Sequence, residues 1–414
     1  MNVLVIGQGG REHAIIKALV QSATSQQVFA MPGSDGIAKS AICLEDLTNN
    51  PELLLKELKK KAIELVIVGP EVPLVAGLAT QLRKSGVHVF GPSIEAAQLE
   101  GSKIFAKDFM IANSIPTADA DIVTSVSEVK ANLKKFKTPY VLKADGLAAG
   151  KGVFISDSEA EILKAAEDIF DKKTLGTAGD KAILEQPLMG YELSAFVLVG
   201  DNGYSLLPFF RDHKRLNDKN LGPNTGGMGV IGPIDVDQKL LNKIIERVIE
   251  PSVQGLKKNN WTYRGLLYVG IMVVDNDPYV LEYNVRFGDP EAQCILPLLD
   301  GDWADVFLAT AKGETKNLDW KNLYTCCVVV AAPGYPENPI KGEKIIGDLN
   351  RGTKEGYLLH AGTKKKDSYW VSNGGRVLNA IGIANTQQEA VTNAYKLVDD
   401  IHWPTKVFRR DIGK

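Results

Sequence analysis

Apolar residues in this chain come in short blocks whose spacing changes along the sequence. Asn2–Ile6 is a β-rich block that runs into Gly7-Gln8-Gly9-Gly10, after which Ala14, Ile15, Ala18 and Leu19 recur at helical spacing. The pattern predicts a strand, a tight turn and a helix. Blocks at Gln27–Ala30, Leu65–Val68 and His88–Phe90, each closed by Gly or Pro, predict further buried strands, with helical stretches at Pro51–Lys61 and Leu74–Lys84 between them. Roughly the first hundred residues therefore read as a doubly wound parallel sheet.

The rhythm then shifts. Ser93–Ala112 reads as one helix, and Pro116 closes the segment after it. Strands at Tyr140–Lys143, Val153–Ser156 and Lys181–Glu185, with a helix opened by the Ser158 and Glu161 capping pair, predict a small α+β lobe. Leu193–Val199 and Tyr204–Phe210 join at Asp201-Asn202-Gly203 as a hairpin; a helix at Gln238–Lys257 and strands at Leu266–Val274 and Tyr279–Tyr283 follow. A last region opens just before Cys326–Val330. It continues with strands at Tyr357–His360, Tyr369–Val371 and Val377–Ile383, then a helix opened by Thr386 and Glu389.

Composition narrows the classes. At 414 residues the chain has room for two to four domains, and 44% hydrophobic with 24% charged residues is ordinary globular usage. The 48 Lys+Arg against 50 Asp+Glu give a formal charge of -2, so there is no general field for nucleic acid, and any anionic ligand needs a local site. Four cysteines without zinc spacing read as reduced structural thiols. No apolar run approaches the ~18 residues of a membrane span, and the N-terminus lacks a basic segment and cleavage site, so a cytoplasmic protein is expected, without membrane or nucleic-acid partners.

Four segments carry candidate chemistry. Gly7–His13 has two of the three glycines of a dinucleotide turn, with Glu12 in place of the third and no acid closing the second strand, which suits a small phosphorylated ligand better than NAD(P). Lys143–Val153 puts Lys143 and Lys151 at either end of a loop of small residues that can close over phosphates, Gly150 and Gly152 among them; with no Ser or Thr after Lys151, it is not a P-loop. Glu282 and Asn284 share one face of a strand, where a carboxylate and an amide can give oxygen to one Mg²⁺, and Arg286 shares that face. Gly222–Gly229 is a second glycine-rich loop, following Arg211–Arg215; His213 in that cluster is expected on the surface, without a catalytic role.

In combination these segments resemble the ATP-grasp superfamily and, within it, the glycinamide ribonucleotide synthetase family. The resemblance runs through Gly7–His13, Gly69-Pro70-Glu71, Gly101-Ser102-Lys103, Lys143–Val153, Asp212–Arg215, Gly222–Gly229, Arg286–Gln293, Asn373–Leu378 and Asp400–Trp403, essentially the full length. It implies an α/β and α+β multidomain fold: an N-terminal doubly wound parallel-sheet domain (1–102), an ATP-grasp core whose large lobe is 103–121 with 191–325 and whose small mobile lobe is 122–190, and a small C-terminal α+β domain (326–414).

The implied reaction is ATP-dependent ligation of glycine to 5-phosphoribosylamine through a glycyl phosphate, with Mg²⁺ or Mn²⁺. By similarity, ATP is bound by Lys103, Lys143, Gly150, Lys151, Gly152, Glu185, Gln186, Leu188 and Glu192, and the metal by Glu282 and Asn284. Leu267–Val274 offers no further acid, which argues against a second ion held fully by protein. Asp212, Thr225, Gly226, Gly227 and Met228 are placed near glycine, with Arg286 at its carboxylate or the γ-phosphate; Asp212 and Arg286 are the catalytic candidates. Gly9, Gly10, Arg11, Glu71, Gly375 and Arg376 are placed at phosphoribosylamine. Three positions depart from the family pattern: Arg211 for Gln, Gln186 for Glu, and Met31 for Ala before Pro32-Gly33. A monofunctional monomer is expected, with transient contact to the upstream amidotransferase. Another ATP-grasp ligase or carboxylase acting on a different acid is the nearest alternative, and an oxidoreductase the alternative from another class.

Overall fold

The computed structural model describes residues 1–148 and 151–414. Asn2–Gly7 pairs in parallel with Gln27–Pro32 on one side and Ile63–Val68 on the other, and Ile42–Cys43 and His88–Pro92 extend the two edges. Val3, Val5, Leu65 and Ile67 enter one core while Leu4, Ile6, Val66 and Val68 enter another, so both faces of the sheet are buried, as the unbroken apolar blocks require. The winding direction reverses at Asn2–Gly7. Its carboxyl end and that of Ile63–Val68 therefore open a crevice of the kind in which open α/β sheets bind ligands.

That sheet continues past the first hundred residues. Tyr263–Val274 runs antiparallel to His88–Pro92 through Tyr263 opposite Pro92 and Arg264 opposite Gly91, then pairs with Tyr191–Val199 and Asp277–Asn284. Tyr204–Leu206 completes nine strands. The small lobe is a separate antiparallel sheet in the order Ala120–Val123, Ala182–Glu185, Tyr140–Ala144, Val153–Ser156, backed by helices Val126–Asn132 and Glu159–Phe170 over its own core. The last sheet draws on two parts of the chain: Arg211–Asp212 and Gly229–Gly232 lie beside Tyr324–Ala331, Arg376–Ala384 and Gly356–His360.

Local punctuation changes two expected helices. Leu74–Lys84 is replaced by helices Glu71–Val75 and Leu78–Lys84, because Gly77 takes φ +87 and breaks the run. Ser93–Ala112 is Ile94–Gly101 followed by Lys103–Ala112. Extended Ser102 separates them; its Oγ accepts from the Phe105 N–H at 3.0 Å and donates to Asp145 at 2.8 Å, while the Ile104 N–H donates to Asp145 at 2.8 Å. An acid of the small lobe thus caps a large-lobe helix. The Ser158 and Thr386 caps form as expected, accepting from the N–H groups of Glu161 and Glu389. Among the described residues no helix is long and apolar enough to cross a membrane.

Candidate active site

A cleft of about 1260 Å³ is lined by residues of all three large sheets. On its small-lobe side, strand periodicity turns Lys143 inward, and Ala182–Glu185 pairs beside it. Lys143 Nζ lies 2.5 Å from one Glu185 oxygen, and Lys107 Nζ lies 2.7 Å from the other. Burial pushes the Glu185 carboxyl up, but the two ammonium groups outweigh it and hold the carboxyl below its ordinary value. Lys107 also donates to Thr117 Oγ1 and the Ala118 carbonyl, each at 2.8 Å. Lys103 reaches the Gly146 carbonyl at 3.4 Å, and its pKa falls, chiefly through burial. Gly152, Gln186, Leu188 and Glu192 also line the cleft. Lys151 is exposed and outside the lining, and Gly150 lies outside the described residues.

Opposite stand Glu282 and Asn284, two residues apart on Asp277–Asn284. Lys214 Nζ bridges Glu282 at 3.4 Å and Glu192 at 3.3 Å. Lys214, against the opposing effect of burial, together with Lys143 and Lys103, brings the Glu282 carboxyl to about 2. It is therefore ionised across the working range, as a metal-binding carboxylate must be, and the neighbouring amide oxygen adds a second hard donor. No group of three His, Cys, Asp or Glu that could hold a metal occurs among the described residues. The donor set fits one cation that takes its other ligands from phosphate and water.

Arg286 sits between this strand and the crevice of the parallel sheet. It donates to Glu100 at 2.6 Å and Asn284 at 3.1 Å and lies 3.4 Å from Glu71. Burial raises the Glu100 pKa; at Glu71, Arg286 and Arg11 outweigh burial and lower it. Farther in, Asp212 and Glu291 face one another. Both are pushed up, first by burial, and Asp212 Oδ1 is buried without a hydrogen-bond partner.

At the crevice, Glu12 explains the altered dinucleotide turn. Its carboxylate folds back to accept from the Gly9 N–H at 2.7 Å and pairs with Arg11 Nε at 2.7 Å. It fills the space where a Cβ at Gly7 or Gly69 would stand. Arg376 lines the cleft but spends its guanidinium on the carbonyls of Gly226, Gly227 and Asp289 and lies 3.4 Å from the Asp289 carboxylate. It ties the Thr225–Gly229 loop to the Asp289 turn. Arg11, Glu71, Thr225 and Gly226 line the cleft; Gly9, Gly10, Gly227 and Gly375 are outside its lining, Gly9 and Gly375 being partly exposed, and Met228 is fully buried.

His213 overturns its expected surface position. It is buried, its Nδ1 lies 3.2 Å from the Gly229 carbonyl, and burial lowers its pKa to about 4. Sequence reading missed Glu100, Lys107, Tyr268 and Glu291 as site residues. Glu291 lay within a quoted motif; Glu100 and Lys107 looked like ordinary polar positions of one long helix.

Comparison with known proteins follows the same geography. The chain matches the phosphoribosylglycinamide synthetase N domain over residues 1–100, its ATP-grasp (A) domain over 101–292 and its C domain over 325–414. It is 40% identical over 416 residues to a phosphoribosylamine–glycine ligase of Caldanaerobacter subterraneus subsp. tengcongensis, covering 100% of this chain and 99% of that protein. A bifunctional purine biosynthetic protein of Pichia angusta is 43% identical over 430 residues; the match covers 100% of this chain, which spans 53% of that longer relative. Among solved structures, the phosphoribosylamine–glycine ligase of Thermotoga maritima superposes with a TM-score of 0.87 at 37% identity, covering 100% of both chains. The biotin carboxylase domain of a Hydrogenobacter thermophilus 2-oxoglutarate carboxylase superposes at 0.73 with 18% identity, over 98% of this chain and 91% of that one, a likeness of fold alone. With all three domain models matched in order around one cleft, the chain belongs to the phosphoribosylglycinamide synthetase family.

Proposed function

We propose that the chain ligates glycine to 5-phosphoribosylamine with ATP by way of a glycyl phosphate, giving glycinamide ribonucleotide, ADP and phosphate in purine (IMP) biosynthesis. The observation that supports this most directly is one cleft lined by Lys103, Lys143, Glu282 and Asn284 on one side and Arg11, Glu71 and Arg376 on the other, with Arg286 between. A carboxylate oxygen of glycine attacks the γ-phosphorus and the bond to ADP breaks. The amine nitrogen then attacks the carbonyl carbon, the bond to phosphate breaks, and the nitrogen gives up a proton.

The protein's part is positioning and charge. Lys103, Lys143 and Lys151 neutralise the nucleotide phosphates under the loop that includes Gly150 and Gly152; Glu185, Gln186 and Leu188 read adenine, and Glu192 the ribose. Glu282 and Asn284 would hold Mg²⁺ or Mn²⁺, which when bound neutralises charge on the transferring phosphoryl group. Asp212 and the Thr225–Gly229 loop, which includes Gly226, Gly227 and Met228, hold glycine, with Arg286 at its carboxylate. Gly9, Gly10, Arg11, Glu71, Gly375 and Arg376 hold the phosphoribosylamine, and closure of the small lobe keeps water from the acyl phosphate.

We place the working unit in the cytoplasm as a monomer that transiently meets the upstream amidotransferase, divided at 1–102, 103–121 with 191–325, 122–190 and 326–414. The test is ADP release with Mg·ATP, glycine and phosphoribosylamine generated in situ, each omitted in turn, with bicarbonate replacing glycine in one arm. Release that needs both substrates, with glycinamide ribonucleotide seen by mass spectrometry, is expected. Turnover with bicarbonate and none with glycine would overturn the substrate assignment.

A further inference from the structure

The charged path between the two halves of the cleft passes through one guanidinium. Arg286 Nη2 donates to Glu100 Oε1 at 2.6 Å and to Asn284 Oδ1 at 3.1 Å, and Nη1 donates to the Phe287 carbonyl at 3.2 Å. Arg11 Nη1 donates to the same carbonyl at 3.1 Å. Arg286 Nε faces Glu71 Oε2 at 3.4 Å and, although buried, makes no hydrogen bond among the described residues. One side chain therefore touches the amide of the metal-side strand, an acid of the parallel-sheet crevice and a carbonyl shared with Arg11.

Its two carboxylate partners differ. The Glu100 side chain is 7% exposed and both its oxygens are used, the second accepting from the Val285 N–H at 2.8 Å. Removing it would strand a buried cation. The Glu71 side chain is 26% exposed and makes the longer contact. A buried donor without an acceptor, beside an accessible acid, is a group that a ligand can redirect.

We propose that Arg286 couples the two half-sites, with Glu100 as its fixed anchor and Glu71 as its releasable partner. An amine or hydroxyl group that engages Glu71 draws that carboxylate away from the guanidinium, whose field then falls more fully on the anion at the Asn284 side. The inference rests on the reading of the reaction given above. It adds Glu100 as a positioning residue and makes phosphoryl transfer respond to occupancy of the amine side. A glycyl phosphate formed before the amine arrives would be lost to water, so this response limits idle turnover.

The experiment measures ADP and glycinamide ribonucleotide side by side in the wild type, Glu71→Gln and Glu100→Gln, with and without the amine. The wild type is expected to release ADP slowly with ATP and glycine alone, and faster with the amine at about one ADP per product. Glu71→Gln should raise amine-independent ADP release about tenfold and push the ADP-to-product ratio above one. Glu100→Gln should lower kcat about a hundredfold while leaving ATP affinity close to the wild type, as expected when a group is displaced from its reacting position. ATP binding and the thermal midpoint of Glu100→Gln identify a folded site, and Glu71→Gln decides the coupling independently of that variant. If Glu71→Gln keeps wild-type amine-independent release, the coupling is wrong; wild-type kcat in folded Glu100→Gln removes the anchor. A wild type that forms no product from glycine and amine defeats the proposed reaction itself, a result distinct from either.

Discussion

The proposed nucleotide side and the proposed amine side of the cleft are built by different means. On the first, Lys143, Glu185, Glu282 and Asn284 project from regular strands, so their directions follow from pleat and register. On the second, Gly9, Glu71, Asp289 and Arg376 come from turns, a strand end and a helix start, cross-tied where Arg376 donates to the carbonyls of Gly227 and Asp289 and the Glu12 carboxylate accepts from the Gly9 N–H. The first side derives its order from local geometry, the second largely from contacts between segments distant in sequence, as where Arg376 reaches Asp289 across 87 positions and Gly227 across 149. Chemistry placed by periodicity tolerates loop variation; chemistry placed by convergence depends on each clasp.

The sharpest test of this contrast is Glu282→Gln. It removes the negative charge of the proposed metal pair and should cut turnover by about a hundredfold or more, while phosphoribosylamine binding on the other side persists. ADP release titrated against Mg²⁺, with amine binding measured separately, checks both halves, and near-normal turnover at limiting Mg²⁺ would reject the metal assignment.

Lys143→Met comes next. It removes one charge-assisted partner of Glu185 and leaves Lys107 as its cation, so it should destabilise the chain by about 2 kcal/mol. Denaturant unfolding reads that loss, and an unchanged midpoint would show that Lys107 suffices.

On the proposed amine side, Arg376→Lys removes the guanidinium whose Nη1 donates to the carbonyls of both Gly226 and Asp289. An increase of about tenfold in the KM for phosphoribosylamine is expected, with ATP affinity kept. Equal losses for both substrates would erase the distinction between the halves.

The mildest test is a pH titration. Burial lowers His13 to about 4, and His360, stacked on it at a ring-centroid distance of 5.8 Å, is lowered as well. Their folded pKa values lie below the unfolded value near 6.5, so the unfolded chain takes up protons first. The stability they contribute is present above 6.5 and is lost as pH falls toward 4. Glu282, by contrast, weakens the fold only as pH falls from about 4.5 toward 2. A drop in unfolding free energy between pH 6.5 and 5, smaller in His13→Gln but still present because His360 and His213 are also lowered, is expected by denaturant titration.

The same division governs what could be read from sequence. Alternation put Glu282 and Asn284 on one face before any contact was known, and capping spacing located the Ser158 and Thr386 helix starts. Glu100 gave no such signal. Its role depends on the Val285 N–H and Arg286, brought to it across 185 and 186 positions. The break at Ser102 was equally hidden, because the acid that caps the second helix, Asp145, lies in another lobe. His213 misled in the opposite direction: its charged neighbours in sequence suggested solvent, while Gly229 folds over it.

The pairing of Arg264 with Gly91 and the place of Gly229–Gly232 beside Tyr324–Ala331 bear on how this molecule can be dissected. Family segments divide the chain at 1–100, 101–292 and 325–414, but its hydrogen-bonded ladders do not respect those cuts. Residues 1–100 expressed alone would present the His88–Pro92 edge bare, and residues 325–414 alone would lack the strand that covers Tyr324–Ala331, each an invitation to aggregate. An engineer seeking exchangeable modules should instead cut around residues 120–185, whose four strands, among the described residues, pair only with one another.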